Sequence, residues 1–155
     1  MLVQVGNYIY PLVEGQPLQI QAGQTLRVFF AFTYKVAETI DARIWVALYT
    51  KFPVTGRRMV VEGAERESII TLDKAMDWQT YQGHIDFSIG SGVKASVYGL
   101  GLELPDFKND AGDYIDDCIE VIAAPGMMEM LGPLIMIAMM GMMVPMLTGM
   151  PERLE

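Results

Sequence analysis

One histidine, one cysteine and one acid-rich stretch are the residues in this chain whose types invite chemistry. His84 stands in "GHIDFSIG", where it alternates with Ile85. A catalytic triad or a histidine metal site needs several companions converging on one point. A single His with a single Cys supplies too few, so His84 is expected to face solvent or a partner. Cys118 stands in "DDCIEVIA". A reactive thiol needs electropositive surroundings. Asp116, Asp117 and Glu120 offer the opposite, and Cys118 is expected to be a small buried side chain. The stretch "DFKNDAGDYIDD" carries Asp106, Asp110, Asp113, Asp116, Asp117 and Asn109. A Ca²⁺ ion gathers six to eight oxygens, and Asn109, Asp110 and Asp113 are the candidate ligands here. The spacing is not that of an EF-hand loop, and no bidentate Glu follows. A solvated acidic loop with an Asx turn around Asp110-Ala111-Gly112 is therefore expected. No catalytic residue, metal or cofactor is predicted.

Trp78 and Tyr81 form a second candidate, in "MDWQTYQG". Two exposed aromatics on a loop make a ligand platform, able to stack on a sugar ring. Isolated aromatics more often close a core, and that use is favoured. The glycines of "IGSGVKASVYGLG" precede a strand pattern rather than a helix, so no helix N-terminus is available to cradle phosphate. The formal charge of −8 excludes nucleic acid as an expected partner. Phosphate binding needs clustered Lys and Arg, and the only adjacent basic pair is Arg57-Arg58.

These residues must be positioned by strands. In "TLRVFFAFTY", Leu26, Val28, Phe30, Phe32 and Tyr34 alternate with Arg27, Phe29, Ala31 and Thr33, the period of two that a half-buried strand requires. Ile44, Val46 and Leu48 alternate with Arg43, Trp45, Ala47 and Tyr49, and Ile85, Phe87 and Ile89 with His84, Asp86 and Ser88. "LVQV", "NYIYPLV", "LQIQ", "SIITL", "VKASVYGLGLEL" and "DCIEVIA" add further strands. "EGQ", "QAGQ", "EGAERE", "IGSG" and "KNDAGD" read as turns, with a tight hairpin at Gly90-Ser91-Gly92. Seven or eight strands without an amphipathic helix predict a mainly β, antiparallel sandwich over residues 1–123, immunoglobulin-like or jelly-roll-like. The core is expected to contain Ile44, Val46, Ile85, Phe87 and Ile89.

"QAGQTLRVFFAFTYKV", "ARIWVALYT" and "YQGHIDFSIG" resemble strands B, C and E of immunoglobulin-like sandwiches, in particular the disulfide-free forms found in adhesion and phage structural proteins. Trp45 matches the position of the strand C tryptophan, while the paired cysteines are missing. The resemblance implies a fold over about residues 15–123 and a structural role in a phage or virus particle.

Residues 124–155 are different. Ten of the 13 methionines fall between Met127 and Met150, and Met130 to Pro151 carries no charge. A membrane span needs ~20 apolar residues. Pro133 and Pro145 limit uninterrupted helix to about 12 residues, no Trp or Tyr marks an interface, and only Arg153 is basic nearby. The expectation is a Met-rich helical tail whose Leu134, Ile135, Met136, Ile137, Met139, Met140 and Met143 contact other subunits. A membrane segment and a cap on its own domain are the alternatives. The N-terminus lacks the basic residue and cleavage site of a secretory signal. Together these features predict a non-enzymatic structural subunit, homo-oligomeric or joined to other subunits, in a virion or comparable assembly. The alternative is a binding module for carbohydrate or protein ligands, anchored in a lipid bilayer by the tail.

Overall fold

A computed structural model describes residues 1–107 and 111–123 of the chain. These residues fold as nine strands: β1 (Leu2–Val5), β2 (Tyr8–Pro11), β3 (Leu18–Gln21), β4 (Thr25–Val36), β5 (Ile40–Lys51), β6 (Arg58–Leu72), β7 (Ala75–Ser88), β8 (Ser96–Glu103) and β9 (Gly112–Ile122). They form two sheets, ordered β2-β1-β4-β7 and β3-β9-β8-β5-β6. Asn109, Asp110 and the entire tail lie outside the described residues, including Leu134, Ile135, Met136, Ile137, Met139, Met140 and Met143.

The two-residue period sets the core. Leu26 and Val28 are 0% exposed, and Ile85 and Phe87 face the same side of their strand at 3% and 1%. On the other sheet Ile44, Val46 and Leu48 are exposed by 1% or less. Ile89, just past β7, is also fully buried, as expected. The described residues contain no helix, and each sheet has an apolar face that is buried. Each fully buried aliphatic side chain contributes ~1.5–3 kcal/mol.

The pairing departs from the sequence reading in three places. First, β3 runs parallel to β9, with Leu18 opposite Ile119, so the second sheet is mixed rather than purely antiparallel. Second, Gly90-Ser91-Gly92 is not a hairpin. β7 pairs with β4 in one sheet, while β8 pairs with β5 and β9 in the other, so this connection crosses between sheets. Third, "EGAERE" is not a turn but part of β6, where the register against β5 shifts between Ala47 and Tyr49. Gly63 sits in this irregular stretch at φ +84°, a conformation glycine adopts at little cost. Its carbonyl accepts a 2.8 Å hydrogen bond from the Gly90 amide. A Cβ on Gly90 would meet that same oxygen at 2.9 Å. Glycine at both positions thus lets the crossing loop rest on β6.

Candidate functional site

Strand lengths create a concavity beside β4. β4 has 12 residues, but β1 covers only Arg27 to Phe29 of it. Among the described residues, the strand from Phe30 to Val36 is paired only with β7. Its inward residues continue the alternation of Leu26 and Val28 as Phe30, Phe32 and Tyr34. These three are only partly covered. A groove of about 1050 Å³ opens there, with Phe30, Phe32 and Tyr34 along one side and Leu102, Leu104 and Phe107 along the other.

The aromatic side is ordered by its own stacking. Tyr81 of β7 lies opposite Phe32, with ring centroids 5.4 Å apart and planes inclined by 22°. Phe30 stacks on Phe32 at 6.2 Å and on Tyr81 at 5.9 Å. Tyr34 meets Phe32 edge-on at 6.3 Å. Gly83 keeps the wall flat, because a Cβ there would come within 2.9 Å of the Tyr81 ring and 3.2 Å of Phe30. The far side is fixed by Arg43 of β5. Its backbone amide donates to Asp106 Oδ2 at 2.8 Å, and its guanidinium Nε and Nη2 donate to Oδ1 at 2.9 and 2.8 Å. That guanidinium holds the Asp106 carboxyl below its ordinary value. Asp106 therefore anchors the loop that carries Leu104 and Phe107.

A second cluster occupies the outer face of the mixed sheet. Tyr49 is 3% exposed although it alternates with the core residue Leu48. It lies across Gly99, and Tyr114 lies across Gly101. The Arg58 guanidinium stacks 3.9 Å above the Tyr114 ring and 5.5 Å from Tyr49. Asp116 accepts hydrogen bonds from the Tyr49 hydroxyl and from Lys51 Nζ. These partners, Lys51 first, hold the Asp116 carboxyl below its ordinary value. Burial, reinforced by Asp116, pushes the Tyr49 phenol up. An irregularity in β9 places Asp116. Tyr98 pairs with Ile119 and Leu100 with Ile115, so β9 takes four steps where β8 takes two. Asp117 adopts φ +48° within it. The same irregularity seats Cys118, 0% exposed, with its thiol donating to the Ile115 carbonyl at 3.2 Å. Burial pushes that thiol up to about 11, so at neutral pH it is neither nucleophile nor ready ligand.

The residues singled out in the sequence are not brought together. Trp78 and Tyr81 are three apart on β7, which is strand where a loop was expected. The register against β4 shifts between Tyr34 and Val36, beside Trp78. Trp78 is among the residues that line the groove, and Tyr81 stacks on Phe30 and Phe32 of its wall. Trp78 is 67% exposed, with Lys35 Nζ 5.4 Å from its ring. His84 is exposed and lies opposite Phe29, with the rings 6.1 Å apart. Asp113 is exposed at the start of β9. Among the described residues no group of three or more His, Cys, Asp or Glu is placed to hold a metal ion. Trp45 is half-buried on the face opposite Ile44 and Val46, and its indole donates to Glu65 at 3.3 Å.

The sequence reading missed the tyrosine cluster. Its signal was Gly99 and Gly101 two apart in "VYGLGLE", a stripe without Cβ atoms on one face of a strand. No protein-family model matches the chain, and no curated protein matches it significantly.

Proposed function

We propose that this chain is a non-enzymatic structural subunit of a large assembly, a phage or virus particle, with an immunoglobulin-like sandwich as its body. Its apolar C-terminal arm makes the contacts between subunits. The observation that carries this reading is the 22-residue interval from Met130 to Pro151, which holds no charge and most of the chain's methionines. An interval of that composition needs burial against something other than water. Methionine, flexible and polarizable, fills irregular contacts between subunits well.

The strand order supports the fold. β4 pairs with β7 in one sheet, and β9-β8-β5-β6 follow one another in the second. That corresponds to strands B and E facing G, F, C and an added C′ in immunoglobulin-like domains. The missing disulfide and the outward-facing Trp45 are departures from the antibody pattern. The polar clusters support a structural role. Asp86, Asp106 and Asp116 are each tied to a basic side chain on a neighbouring element, which braces strands rather than presenting groups to a substrate.

The test is the mass of the native particle. The full-length chain is expected to assemble in plain buffer, and Ile137→Asp is expected to reduce it to folded monomers. A charge without a partner is costly in an apolar contact. A wild-type chain that stays monomeric in plain buffer refutes the reading. A chain that needs detergent and floats with lipid supports the bilayer alternative instead.

A further inference from the structure

A strand at the edge of a sheet is a template for another chain, and folded proteins blunt such edges with shortness, charge, proline or bulges. We infer that β7 is an edge left open for a second copy of this chain, which pairs with it antiparallel, β7 on β7, across a two-fold axis. This rests on the assembly role proposed above and adds a surface of the β domain to the contacts between copies.

A comparison of edges carries it. Among the described residues the edges are β2 and β7 in one sheet, β3 and β6 in the other. β2 and β3 have four residues each, and β2 ends on Pro11. β6 has 15 residues, but Arg58, Glu62, Glu65, Arg66 and Glu67 lie along it, and its ladder with β5 is irregular. Pairing β6 with itself about Arg66 would set Arg66 against Arg66 and Glu65 against Glu67. Like charges directly opposite destabilise a ladder. The open stretch of β4 is closed off where β1 meets it, at Leu2 opposite Phe29. β7 has 14 residues. Its stretch from Trp78 to Ile85, "WQTYQGHI", contains no Pro, Asp, Glu, Lys or Arg. Its register against β4 is unbroken from Gln79 to Ser88.

The occupant is a second copy because this edge is complementary to itself. A two-fold axis normal to the sheet keeps the outer faces of both strands on one side, so residues an even number apart meet. Asp77 and Asp86 flank the uncharged run at an odd separation and do not come opposite each other. Thr80, Gln82 and His84 are exposed and alternate with the core residue Ile85. Their counterparts in the second strand are the same neutral, hydrogen-bonding types. Beside them Trp78 is 67% exposed and Met76 70%. A large ring left in water next to an open edge gains cover from a paired strand, and Trp is enriched among the residues that anchor interfaces. Pairing over so short a run buries less than the ~1,200 Å² of a standard stable interface. The contact therefore forms between copies that the arm has already gathered, and it fixes how they face one another.

Single cysteines on the outer face of β7 test this in the full-length chain. Thr80→Cys, Gln82→Cys and His84→Cys are oxidised mildly, each alone and in pairwise mixtures. Glu14→Cys, on an exposed turn, is the control. Cys118, 0% exposed, stays out of the reaction. Opposed residues of an antiparallel ladder have Cα atoms ~4.5–5.5 Å apart, within the reach of a disulfide. A position on the axis with itself, or a pair symmetric about it, should crosslink at least roughly 10-fold faster than the control, because pairing raises the effective thiol concentration. Adding Ile137→Asp should abolish that advantage by dispersing the copies. If the cysteine chains assemble as the wild type does and none crosslinks faster than the control, this inference is overturned while the assembly reading stands. If the wild-type chain itself stays monomeric, the assembly reading falls and the inference with it. Slow hydrogen exchange at every amide from 79 to 83 without a crosslink gives the edge another occupant, which also overturns it.

Discussion

The two glycines under the tyrosines make a sharp stability prediction. A Cβ added at Gly99 would lie 2.7 Å from both Cε1 and Cε2 of Tyr49 and closer still to Cζ. Real side chains do not approach so near, so something must shift. The Tyr49 ring is poorly able to yield. It is 3% exposed, its hydroxyl is bonded to Asp116, and Arg58 lies over it. The glycine backbone is equally constrained, because Tyr49 and Gly99 are direct partners in the ladder between β5 and β8. Overpacking of a well-filled site costs ~1–3 kcal/mol, and this one belongs near the upper end. For a domain of this size that lowers Tm by about 10 °C.

Gly92→Ala is the matched control, since nothing lies within 4 Å of a Cβ there and its φ is not left-handed. It should change Tm little, or raise it slightly by restricting the unfolded chain. Thermal unfolding followed by far-UV circular dichroism, at one fixed protein concentration, measures both. A double-mutant cycle isolates the cause. In a Tyr49→Leu background the obstructing ring is gone, and Gly99→Ala should then cost less than about 1 kcal/mol. Equal melting temperatures for Gly99→Ala and Gly92→Ala would refute the packing argument. So would an unchanged Gly99→Ala cost in both backgrounds.

Acid should weaken the fold through its tied carboxylates. Asp86, Asp106 and Asp116 are held below the ordinary value of 3.8 by their basic partners. Their contribution is complete above that value and is lost as pH falls through the lower folded values. Urea titrations between pH 6 and 2 should show stability declining below about pH 4. Asp116→Asn should flatten part of that decline, and an unchanged slope would remove Asp116 from the account. Cys118, fully buried with its thiol pushed up to about 11, should react with a thiol reagent at pH 8 only as fast as the protein opens. Labelling of the native chain at the rate of a free thiol would contradict its burial. Removing Ca²⁺ with a chelator should leave Tm unchanged. A drop that Ca²⁺ restores and Asp113→Ala abolishes would assign the acidic loop a metal after all.

Alternation revealed which faces are buried but not which strands are neighbours. Ile44, Val46, Ile85 and Phe87 are core residues in the expected phase. Period two is identical for parallel and antiparallel pairing, so nothing local distinguished the β3–β9 ladder. Gly90-Ser91-Gly92 has hairpin composition, yet what directs it to the other sheet is the long-range pairing of β7 with β4. "AMDWQTYQ" shows no clean alternation, so nothing in it marks Trp78 and Tyr81 as strand residues. Its outer face is exposed and its inner face borders an open groove, so neither face demands consistently apolar residues. Tyr49 was placed on an outer face and does lie there. Its burial depends on Gly99 and Gly101 from a strand some 50 residues away in sequence.

The groove was hidden for a different reason. "TLRVFFAFTYKV" alternates without interruption from Leu26 to Tyr34, but its inward residues change from 0% exposed at Leu26 and Val28 to half-covered at Phe32. The pattern of one strand records which side faces inward. It does not record how far the covering strand extends, and β1 stops after four residues. Residue type carries a trace of the change. The inward positions are aliphatic where cover is complete and aromatic where it ends. An aromatic ring retains much contact area when only one side is covered, and Phe30, Phe32 and Tyr81 supply that side for one another by stacking. The rings therefore stabilise the open stretch without closing it. Aliphatic side chains there would have left β4 either collapsed onto β8 or bare to water. An edge built this way is stable while open.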